Sequence, residues 1–131
     1  MKKTGIINAD IAAQVAHLGH LDTLAVADAG LPIPTGPQRI DLVVQPNQPR
    51  FLDLIPVLLS EMVVQEAIVA AEMLTVSPAL YADLAAALGD IPIRAVPHVE
   101  FKALTAHCRA VVRTGEFTPY ANVILVAGVA F

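Results

Sequence analysis

Short apolar runs of strand length alternate along this chain with segments of helical period, and that alternation limits the fold more than any other feature. Residues 23–27 (Thr-Leu-Ala-Val-Ala) and 122–127 (Asn-Val-Ile-Leu-Val-Ala) read as buried strands, with further strands over 40–44, 91–96 and 111–113. Residues 63–73 hold good helix formers, yet Ile68 and Val69 suit a buried strand; strand is favoured because it keeps the alternation. Between these runs lie helices. The first places Ile11, Val15 and Leu18 on one face, is capped by Asn8 or Asp10, and stops at Gly19. A second covers 51–61 around Pro56. A third opens on Ser77-Pro78 and stops at Gly89, and a fourth follows Pro97-His98 over 99–107. Leu31-Pro-Ile-Pro-Thr-Gly-Pro37 carries three prolines and a glycine and must be a stiff loop. Pro92 argues against a central place for the 91–96 strand. The expected architecture is one α/β domain over residues 1–131, layered α/β/α around a largely parallel sheet. Ligands in such folds bind beyond the strand ends, where Asp28 stands.

Composition narrows the function classes. A chain of 131 residues makes one ordinary domain, and 56% apolar against 15% charged residues excludes disorder. Mean hydropathy is high at +0.64, but no apolar run reaches the roughly 18 residues a membrane-spanning helix needs. One small domain cannot bury so much apolar surface alone, so extensive contacts between copies are expected. The net charge is −4 and the eight Lys and Arg are scattered, which excludes a basic nucleic-acid footprint. Cys108 has no intrachain partner, and Asn8 and Asp10 interrupt any apolar core of a leader after Lys2 and Lys3. A reducing cytoplasm is the expected compartment.

Four histidines are the main candidates for chemistry. His20 sits in the loop Leu18-Gly-His-Leu-Asp22, and Asp28 follows eight residues later at a strand end. Brought together they would make an acid–base pair; spacing alone favours a surface histidine and a loop-capping aspartate. His17 and His20 lack the further ligands a zinc site requires. His98 opens a helix after a strand, as ligand or as cap residue, and His107 near a helix end reads as structural. Ser60 and Ser77 are the only serines, no Gly-x-Ser-x-Gly elbow exists, and Cys108 reads as buried and inert. No glycine-rich phosphate loop is present. Tyr120 and Asn122, beside Pro119, offer a ring face, a hydroxyl and an amide, which suit a polyhydroxyl ligand or a stabilised turn.

Leu18-Gly-His-Leu-Asp-Thr-Leu-Ala-Val-Ala-Asp-Ala-Gly-Leu-Pro-Ile-Pro34 closely resembles the N-terminal signature of the RbsD/FucU sugar mutarotase family. Arg39-Ile-Asp41, His98-Val-Glu-Phe-Lys102 and Arg113-Thr-Gly-Glu-Phe-Thr-Pro-Tyr-Ala-Asn-Val-Ile-Leu125 resemble its later segments, and the likeness spans residues 1 to 131. The resemblance implies interconversion of the pyranose and furanose forms of ribose, or of fucose anomers, without a cofactor. It implies ring-shaped homo-oligomers, commonly decamers of two pentamers, with sites near subunit contacts. It carries the family's proton donor onto His20 and its sugar-binding positions onto Asp28, His98, Tyr120, Ala121 and Asn122. Gly30-Leu-Pro-Ile-Pro34 points to the ribose branch. Ring opening then needs a proton delivered to the ring oxygen and one taken from the anomeric hydroxyl, work for an imidazole near neutrality. The competing readings are a fucose mutarotase, a non-enzymatic ribose-binding accessory protein, and a purely structural oligomer.

Overall fold

The computed structural model describes residues 1–131. Its elements run α1 (Ala9–His17), β1 (Thr23–Ala27), β2 (Gln38–Asp41), α2 (Phe51–Leu59), β3 (Val64–Ala70), α3 (Ala71–Val76), α4 (Pro78–Leu88), β4 (Ile93–Val96), α5 (His98–Thr105), β5 (Ala110–Arg113) and β6 (Val123–Ala127). The six strands form one sheet in the order β2-β5-β1-β6-β3-β4. β1–β5, β2–β5 and β3–β4 pair in parallel, while β6 lies antiparallel to both β1 and β3. The sheet is therefore mostly parallel but mixed, and β4, the strand beginning just after Pro92, takes an edge as expected.

Both faces of the sheet are covered, so the central strands are apolar throughout. Leu24, Val26, Val112, Val123, Leu125 and Val69 point to one side, against Ile11 of α1, Phe51, Ile55 and Leu58 of α2, and Leu84 of α4. The alternate residues Ala25, Ala27, Val111, Ile124 and Ile68 point to the other, against Phe101 of α5 and Leu31 of the proline-rich loop. Helices on both sides give the three layers.

The structure corrects several boundaries. β2 occupies 38–41 rather than 40–44, because Val43 N–H turns back onto Asp41 Oδ1 at 3.1 Å and the chain leaves the sheet. The 63–73 segment is a strand only to Ala70; Glu72 and Met73 belong to α3, where Met73 packs into the core. α5 starts at His98 itself, which leaves His107 in the turn beyond the helix. Ser77 precedes α4 as expected, but its hydroxyl donates to the Pro119 carbonyl at 2.7 Å instead of capping the helix.

Candidate active site

The carboxyl ends of β1, β3 and β4 and the start of β6 meet at one edge of the sheet. Asp28 follows β1, and Asn122 precedes β6. The two clasp each other: Asp28 N–H donates to Asn122 Oδ1 at 2.8 Å, and Asn122 Nδ2 donates to Asp28 Oδ2 at 2.8 Å. The Asn122 side chain is fully buried, so its amide holds Asp28 rather than facing solvent. Asp28 Oδ1 also accepts the Gly30 N–H at 2.9 Å, which folds the chain back over the carboxylate.

His98 joins from the β4–α5 junction. Its backbone N–H is gripped by both oxygens of Glu72, at 3.1 and 2.9 Å, so a carboxylate from α3 caps the first turn of α5. Glu72's own N–H and that of His98 hold its carboxyl below the usual range, against a smaller opposing push from burial. The His98 ring stacks on Phe101, with centroids 6.2 Å apart, and meets Tyr120 edge-on at 5.0 Å. Its Nδ1 is buried with no hydrogen-bond partner in the chain. Tyr120 stands at φ 61, a left-handed conformation uncommon for an aromatic residue. The Asn122 N–H donates to the Tyr120 carbonyl at 2.8 Å across that turn. Ala121 is buried, so only its peptide groups are on offer.

Asp28, His98 and Tyr120 thus line one cavity of about 300 Å³, closed by Gly30, Leu31, Pro32 and Pro119. A second hollow of about 390 Å³ adjoins it through Asp28, Gly30 and Pro119 and reaches Arg113 and Glu116. A carboxylate, an imidazole, a phenol and aromatic faces suit a small polyhydroxyl ligand.

His20 is not there. It lies in the loop before β1, in a separate hollow of about 540 Å³ with Val15, Leu18, Glu61, Val63 and the 127–131 segment. Asp28 follows the other end of β1, roughly 20 Å away along the strand at about 3.3 Å per residue. The acid–base pair suggested by their spacing therefore does not form within one chain. Two residues of these surroundings gave no sequence signal. Glu72 lay inside the segment read as strand, and Gln65, whose Oε1 is 3.0 Å from His20 Nε2, is distant in sequence.

A profile of the RbsD / FucU transport protein family matches residues 1–130. The chain belongs to the RbsD/FucU family. Among its relatives in that family, the D-ribose pyranase of Coprothermobacter proteolyticus is 55% identical over the full length of both chains. The D-ribose pyranase of Geobacillus thermodenitrificans is 47% identical over all of this chain and 99% of its own. Among solved structures, Bacillus subtilis RbsD complexed with D-ribose superposes with a TM-score of 0.97 at 47% identity, covering all of both chains. The α/β fold is that of RbsD.

Proposed function

We propose that this chain interconverts the pyranose and furanose forms of D-ribose through the open-chain aldehyde, as a D-ribose pyranase, using proton transfers alone. One observation carries the reading: full-length similarity to RbsD complexed with D-ribose, at 47% identity and TM-score 0.97. The cavity agrees with it. Asp28 accepts sugar hydroxyls while Asn122 and the Gly30 N–H hold its carboxylate. His98 and Tyr120 flank the sugar, and the Ala121 peptide fixes the turn between Tyr120 and Asn122.

His20 is the acid that protonates the ring oxygen as the C1–O5 bond breaks, while the anomeric hydroxyl gives its proton to water and becomes the aldehyde. The furanose forms when the 4-hydroxyl adds to C1, its proton returning to His20 as the carbonyl oxygen takes one back from water. Each proton transfer is worth about 10²–10⁴-fold, enough for a reaction that already proceeds in water. Because His20 stands at the far end of β1 from Asp28, it serves the Asp28 cavity of a neighbouring copy. The working enzyme is then a homo-oligomer in the cytoplasm, and two pentameric rings forming a decamer is the arrangement proposed. Exposed Leu21, Val63 and Val129 near His20 supply apolar surface for such a contact.

NMR exchange spectroscopy on ribose at equilibrium tests this. Faster pyranose–furanose exchange with the protein, lost in His20→Ala, is the expected result. Acceleration with fucose but not ribose would move the chain to the fucose reaction. Ribose binding without acceleration would make it a binding protein.

A further inference from the structure

We propose that Gln65 is a positioning residue for His20: it holds the imidazole by Nε2, so that Nδ1 is the nitrogen that releases and recovers the catalytic proton. This role presupposes that His20 is the acid of the proposed reaction.

The backbone under His20 is already fixed. Gly19 N–H donates to Asp22 Oδ2 at 2.9 Å, and Asp22 Oδ1 pairs with Arg109 Nε at 3.0 Å. Leu21, at φ 70, donates its N–H to the Ala127 carbonyl at 2.9 Å. Only the two side-chain torsions of His20 remain free. The one hydrogen bond its ring makes within the chain is Nε2 to Gln65 Oε1, at 3.0 Å.

The strand that carries Gln65 is irregular at that residue. Val64 pairs with Ala127 and Glu66 with Val126, so Gln65 is an extra residue with no opposite number on β6. Val64 and Ala67 consequently face the same core although they are three apart, which an unbroken strand with period two forbids. A bulge of this kind re-aims a side chain, and here the re-aimed side chain meets the histidine. Gly128 lies alongside: a Cβ there would stand 3.0 Å from Val63 Cγ1 and 3.4 Å from Gln65 Cβ. Glycine at 128 thus leaves the bulge room.

A carbonyl oxygen only accepts hydrogen bonds, so Nε2 carries a hydrogen whenever the contact is made. In the imidazolium both nitrogens are protonated; in the neutral ring only Nε2 is. The proton that comes and goes without breaking the Gln65 contact is the one on Nδ1. An imidazole free to exchange tautomers would spend part of its time with the wrong nitrogen bare.

The test combines a spectroscopic and a kinetic measurement. Solid-state NMR of ¹⁵N-histidine-labelled protein without sugar, with His20 assigned by comparison with His20→Ala, reads the neutral tautomer. The expected result is Nε2–H in the parent and a mixture in Gln65→Leu. For ribose exchange, Gln65→Leu should lower kcat roughly ten- to a hundredfold, with KM changed less than about twofold. Gln65→Glu keeps an acceptor and should restore both the tautomer and most of kcat. An Nδ1–H tautomer in the parent, a tautomer unchanged in Gln65→Leu, or an unchanged kcat would each overturn the role. Because the tautomer is read without substrate, failure of the His20–Gln65 contact is distinguishable from failure of His20 as the acid.

Discussion

Asn122 shapes the site from behind. Its buried amide satisfies both the Asp28 N–H and a carboxylate oxygen, so Asn122→Ala strands a buried donor and frees the carboxylate to rotate. We expect a loss of about 1–3 kcal/mol in stability, read by thermal or urea unfolding, and a KM for ribose that rises more than kcat falls. Glu72 does comparable work for His98 through two contacts to one N–H. Its carboxyl titrates below 4.5, so the clamp is complete at neutral pH and is lost only as pH falls through that depressed value. Glu72→Gln should therefore weaken ribose binding near neutrality, with the difference from the parent shrinking as pH falls through that depressed value, as titration calorimetry would show. At this scale the sequence made Asp28 legible, because a carboxylate just past an apolar run marks a strand end. The spacing of His20 and Asp28 does not bring the two together: the seven intervening residues run the length of β1 instead of folding back. Glu72 and Gln65 act on partners 26 and 45 residues away, a distance no local pattern encodes.

The elements depend on a few buried polar ties. Glu116 is 2% exposed, yet its carboxylate accepts from the Phe51 N–H that opens α2 and from the N–H and hydroxyl of Thr118, with Arg50 at 3.7 Å. It joins the β5–β6 loop to the positive end of a helix. Burial pushes its carboxyl up, but those donors outweigh burial and hold it below 4.5. A depressed folded value stabilises above the unfolded one and fades as pH falls through it. Glu116→Gln should cost about 1–3 kcal/mol near pH 7, and its melting temperature should approach the parent's as pH falls through that depressed value. Gly115, next to it, has no room for a side chain: a Cβ would collide with the Gln48 and Gln45 carbonyl oxygens. Strands β1, β5 and β6 were legible because burial on both faces leaves continuous apolar runs. β2 was misplaced because its apolar residues 42–44 lie beyond the turn at Asp41, while its polar Gln38 and Arg39 pair with β5. The short helix α3 was missed because its apolar residues continue the run of β3 without a break.

For the whole molecule, the two ends of β1 set the central demand. One end carries Asp28 with His98 and Tyr120; the other carries His20 among exposed apolar side chains. High hydropathy leads to an expectation of contacts between copies, and the proposed reaction adds a reason for them: with His20 and Asp28 at opposite ends of β1, it calls for a site shared by two chains. Charged substitution of that apolar surface, Val63→Glu with Val129→Glu, should lower the oligomeric mass by light scattering and slow ribose exchange together. The most direct test is complementation. Ribose exchange would be measured by NMR for the parent, for His20→Ala and Asp28→Asn separately, and for the two variants co-expressed in one assembly. The account predicts acceleration by the parent, none by either variant alone, and recovery of about a quarter of the parental rate in the mixed assembly, where random neighbours pair an intact His20 with an intact Asp28. No recovery in a mixed assembly of normal mass would contradict a site shared between subunits, and no acceleration by the parent would contradict the reaction itself.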